Sequence, residues 1–63
     1  MASNASHVIA LMKAGRLTPA QVSETADRLL EVTAHRGFLA RLNAALTAHR
    51  LLEAVRQHQG GGQ

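Results

Sequence analysis

An all-α fold is what this sequence predicts: a short N-terminal helix, then a helical hairpin, with two chains pairing into a bundle. Three observations lead there. Apolar residues recur at helical spacing along most of the chain. A helix start is spelled out residue by residue at Leu17-Thr18-Pro19-Ala20-Gln21-Val22. The apolar content of 46% comes largely from alanine and leucine, with Phe38 the sole aromatic, which is a composition of helix formers.

The first helix is expected from Asn4 to Ala14. Val8, Leu11 and Met12 share one face, and Ser3, Asn4 and Ser6 are its candidate caps. Gly15 should take the left-handed conformation that ends the helix. Lys13 and Arg16 lie near that negative end, as the helix dipole favours. A helix this short needs packing to persist.

The second helix is the best marked. Thr18 is its N-cap and Gln21 completes a capping box by reaching back to the Thr18 N–H. Pro19 occupies the first helical position, where a missing N–H costs nothing. Leu17 and Val22 hold the positions of a hydrophobic staple. The helix runs to His35 or Arg36, with Val22, Ala26, Leu29 and Thr33 as its apolar stripe and Leu30 and Val32 beside it. Glu24 with Arg28, and Glu31 with His35, are i,i+4 pairs on a solvated face, each contributing about 0.2–0.5 kcal/mol.

Gly37 decides between two architectures. As a C-cap it ends the second helix and opens a hairpin. As an interior glycine it leaves one continuous helix from residue 19 to 57, at a cost of about 1 kcal/mol. His35 and Arg36 suit a helix end. Against a break, no Ser, Thr, Asp or Asn lies between Ala34 and Leu42 to cap a third helix. Thr33-Ala34-His35-Arg36 also recurs fourteen residues on as Thr47-Ala48-His49-Arg50, and two heptads would keep both copies on one side of an unbroken helix. The hairpin is the preferred reading, because uncapped helices beyond about 25 residues are uncommon in globular domains.

The third helix is expected from Phe38 to about Gln57. Phe38, Leu42, Ala45, Leu46, Leu52 and Val55 form an inward stripe, and Ala40, Ala44, Ala48 and Leu51 a second one beside it. Two apolar faces are more than one neighbouring helix covers. A symmetric dimer supplies the missing helices. Residues 1–58 then make one small domain, and 59–63 a flexible glycine-rich tail.

Size sharpens the argument for a partner. A chain of 63 residues buries only about 60% of its unfolded surface, and small domains usually lean on disulfides, metals or association. With no cysteine, disulfides and thiolate metal sites are excluded. The expected location is the cytoplasm. No run of 18 apolar residues suggests a membrane span.

Catalysis finds no support. Ser3, Ser6 and Ser23 lie in helix-start or helix-surface contexts, without a nucleophile elbow. Glu24, Asp27 and Glu31 share a helix with pairing cations. The only glycine run is terminal, so there is no phosphate loop. His7, His35, His49 and His58 include no i,i+4 pair, and no metal, cofactor or small-molecule substrate is expected. His49, near the expected inward side, is a candidate pH-sensitive group.

Two function classes remain. The first is a non-catalytic regulator, adaptor or inhibitor that binds itself and an unidentified protein through Phe38, Leu42, Leu46, Leu51, Leu52 and Val55. The second is a basic dimer that binds nucleic acid. The formal charge is +3 and six of the seven basic residues are arginine. Arg36, Arg41, Arg50 and Arg56 are its candidate phosphate contacts. They are scattered around the helix, and the chain lacks the polar recognition helix of a helix-turn-helix.

Overall fold

The computed structural model describes residues 4–60. Among them it has three helices and no strand: α1 (Asn4–Lys13), α2 (Pro19–Thr33) and α3 (Phe38–Gly60). α2 and α3 form the main pairing, an antiparallel hairpin, and α1 packs across both, more on α3 than on α2.

α1 ends by a Schellman motif. The Arg16 N–H donates to the Leu11 carbonyl at 2.8 Å and the Gly15 N–H to the Met12 carbonyl at 3.0 Å. Both bonds satisfy carbonyls that the helix itself leaves open. They require a left-handed residue, and Gly15 has φ 77°. Nothing lies within 4 Å of where its Cβ would be, so only backbone conformation restricts this position. Gly15→Ala is therefore expected to cost about 1–2 kcal/mol, read as a lowered thermal midpoint with unchanged helix content. Gly15→Asn should recover part of the loss.

The predicted start of α2 is present in full. The Gln21 N–H donates to Thr18 Oγ1 at 3.1 Å, and the Thr18 N–H donates to Gln21 Oε1 at 2.9 Å. Thr18 is extended and Pro19 opens the helix. Val22 is buried and Leu17 packs against the same cluster, as a staple requires.

The end of α2 differs from expectation. The helix stops at Thr33, short of His35, and Gly37 is not its C-cap. The Ala34 N–H turns to the Glu31 carbonyl at 3.2 Å, and the Arg36 N–H to the Thr33 carbonyl at 2.9 Å, tightening the last turn to i→i−3 bonds. That leaves the Leu30 carbonyl without its helical donor. The Thr33 hydroxyl donates its one proton mainly to the Leu29 carbonyl at 2.8 Å, with the Leu30 carbonyl as the longer branch of a bifurcated bond at 3.3 Å. No left-handed residue is needed.

Gly37 acts on the other side of the break. It immediately precedes α3, and its carbonyl accepts from the Arg41 N–H at 3.1 Å, which is what an N-cap residue does. Glycine ranks with threonine at that position, so a third helix starts without Ser, Thr, Asp or Asn. The single helix from 19 to 57 is thereby excluded. Since a Cβ at Gly37 meets nothing within 4 Å and its φ is not left-handed, Gly37→Ser is expected to stabilise by up to about 1 kcal/mol, from a capping hydroxyl and a stiffer unfolded chain. A melting midpoint at or below that of the parent would count against this assignment.

α3 continues to Gly60, so Gln59 and Gly60 belong to the helix rather than to the expected tail. Residues 61–63, like the Ser3 cap candidate, lie outside the described residues.

The core is small. Met12, Val22 and Leu51 are its largest fully buried side chains, joined by Ala5, Ala26, Ala48 and Val55, with Val8, Ile9, Leu17 and Ala54 packed around them. These residues come from α1, the connection before α2, the first half of α2, and α3 from Ala48 onward. The core thus sits at the α1 end of the hairpin, and the tip lies beyond it.

Candidate functional site

Of the two apolar stripes seen in the sequence, α3 turns inward Ala44, Ala48 and Leu51 of the alanine stripe, but not Ala40, together with Val55 of the expected inward stripe. The rest of the expected inward stripe, Phe38, Leu42, Ala45, Leu46 and Leu52, is exposed, at 67% for Phe38, 44% for Leu42 and 59% for Leu46. Small side chains at a helix contact let neighbouring backbones come nearer than leucines would. At about 100° per residue, Leu42 and Leu46 point almost directly away from Ala44.

The six residues expected at an interface therefore split. Leu51 and Val55 are core residues of the single chain, 2% and 7% exposed, and cannot contact a partner in this fold. Phe38, Leu42 and Leu46 follow one another at i,i+4 spacing along the outer side of α3. Leu52 is exposed as well, but lies further along and around the helix. Leu39, absent from the expected set, joins the outer stripe and is the most exposed of the large apolar residues. Its signal was available, since it is i−3 from Leu42. On α2, Leu30 and Val32 are also exposed.

The surface area agrees with this reading. The chain exposes 4862 Å², against roughly 3,900 Å² for a compact monomer of its mass. The molecule is elongated, 39 × 24 × 16 Å, because the long α3 is not wrapped on all sides.

The four candidate arginines do not converge on a site, although Lys13, His49, Arg50, Glu53 and His58 share the lining of a groove of about 620 Å³ between α1 and α3. Arg36, Arg41, Arg50 and Arg56 are all exposed. Arg41 and Arg50 are nine residues apart on one helix, which puts them on opposite sides of it. Arg56 pairs with the half-buried Glu53, and Arg28 with Glu24 at 3.3 Å, the latter with both partners solvated. Such pairs contribute little beyond helix support. Glu31 and His35 form no such pair. His49 is exposed, not inward, because it sits on the outer half of α3. Among the described residues no group of three His, Asp or Glu is placed to hold a metal ion.

Two open grooves flank the helices. The larger, about 860 Å³, runs between α1, α2 and α3 past Val8, Leu29, Ala44, Leu46, Thr47 and Arg50. Its titratable lining groups are His49 and Arg50. Among the described residues no helix is long and apolar enough to cross a membrane.

In comparisons with known proteins, no family model matches this chain, and neither a curated protein nor a solved structure matches it.

Proposed function

We propose that this protein is a non-catalytic helical docking module, a small regulator, adaptor or inhibitor that works by presenting the outer face of α3 to another protein surface, first of all to a second copy of itself. The observation that carries the reading is the stripe of Phe38, Leu42 and Leu46. The intrachain core is closed without them, yet they remain exposed together on one face. Water-exposed apolar side chains gathered on one face mark interaction sites more often than scattered ones do. The cytoplasmic location expected from the sequence is kept in this reading.

The double substitution Leu42→Glu with Leu46→Glu tests it. Both positions lie outside the core, so the change in monomer stability should stay near the ±0.5 kcal/mol typical of surface sites. Helix content by circular dichroism should be retained, while the mass measured by sedimentation should fall to that of one chain. A parent chain that already sediments as a monomer with nothing bound would remove the self-docking reading. The rival, a nucleic-acid contact by Arg36, Arg41, Arg50 and Arg56, predicts binding to mixed duplex DNA that weakens steeply with salt. The opposed directions of Arg41 and Arg50 speak against it.

A further inference from the structure

We infer that two copies of this chain dock antiparallel through the first half of α3, with a two-fold axis passing beside Leu42. The inference rests on the self-docking reading and specifies its geometry.

The area available fits a second copy. Phe38, Leu39, Leu42 and Leu46 together expose roughly 500 Å² of side chain. Two such patches fully covering each other would remove at most about 1,000 Å² from water, the threshold of a specific interface. The patch is also suited to itself. A two-fold interface sets the same surface against its own copy, so it must contain nothing that repels itself. Between Phe38 and Leu46 the only charged residue is Arg41, which is turned about 100° away from Leu42 around the helix.

The direction follows from what lies further along the same side. The seam through Leu39, Leu42 and Leu46 continues at alternating steps of three and four residues into His49, Glu53 and Arg56. A parallel pair would bring Glu53 beside Glu53 and Arg56 beside Arg56, and facing like charges repel. An antiparallel pair centred on Leu42 avoids this. Phe38 then meets Leu46 of the second copy, and Leu39 meets Ala45. His49, Glu53 and Arg56 are carried past the start of the opposite α3, at Phe38, and stay in water. Opposed helix dipoles also favour this direction.

The chain has no cysteine, so single cysteines report the geometry cleanly. Under mild oxidation at micromolar concentration, Leu42→Cys should form an interchain disulfide in roughly tenfold larger yield than Leu52→Cys, since only a residue on the axis comes close enough to its own copy. Phe38→Cys and Leu46→Cys should each stay unlinked alone and link when mixed. Circular dichroism of the reduced variants confirms that each is folded. If Phe38→Cys and Leu46→Cys each link to themselves as readily as Leu42→Cys while the parent chain sediments as a dimer, the pair is parallel and the inference fails, although self-docking stands. If the parent chain sediments as a monomer, both fail, and the face belongs to a different protein.

Discussion

Truncating Leu51 to alanine is expected to destabilise the single chain by about 2–5 kcal/mol. Leu51 is 2% exposed and belongs to the cluster that joins all three helices. The whole stability of a chain this long is of order 3–9 kcal/mol, so much of the population should be unfolded at ambient temperature. Leu51→Asp goes further, because an unpaired carboxylate would have to enter an apolar core. It should show little helix by circular dichroism at any protein concentration. Contrast this with Leu46→Glu, five residues earlier on the same helix, where the folded chain should persist. A Leu51→Asp variant that stays helical and changes only its sedimenting mass would put Leu51 back at an interface and overturn the rotation of α3.

Ala48→Leu is the second large effect. Ala48 is 2% exposed and lies in the same cluster as Ala26, Val22 and Leu51. A leucine there adds three carbons where no space is left, and helices that pack through small residues must separate to admit it. Overpacking of this kind costs about 1–3 kcal/mol, and at roughly 4–8 °C per kcal/mol for a domain of this size the melting midpoint should fall visibly. The same change at Ala20, exposed on α2, should remain within about 0.5 kcal/mol. Equal midpoints for the two variants would mean that the alanine stripe is not the packing face.

These two substitutions probe what could not be read along the chain. The local signals were plain. Gly15 terminates α1 in the left-handed conformation, and Thr18, Pro19 and Gln21 begin α2 through bonds that close within four residues. Gly37 was ambiguous for a physical reason: glycine serves both as a left-handed C-cap and as an N-cap. In the structure α2 ends at Thr33 by i→i−3 bonds, and the Gly37 carbonyl accepts the first bond of α3 from the Arg41 N–H. The short connection of residues 34–37 then turns α3 back against α2.

The candidate surface was legible only in part. Periodicity placed Phe38, Leu42 and Leu46 together, and showed that α3 has two apolar faces. It could not say which of the two turns inward, and it mixed Leu51 and Val55, which hold the core, with residues that lie outside it. The repeated tetrapeptide shows why. Thr33-Ala34-His35-Arg36 ends α2 and enters a turn, with Ala34 exposed, whereas Thr47-Ala48-His49-Arg50 continues through the middle of α3, with Ala48 buried.

Sequence alone determined the helical class, the first helix end and the second helix start, since caps and turns involve atoms a few residues apart. Tertiary structure alone decided the rotation of α3, and with it the buried and exposed faces. That choice depends on how closely whole helices approach, and alanine-lined backbones approach more closely than a row of leucines permits.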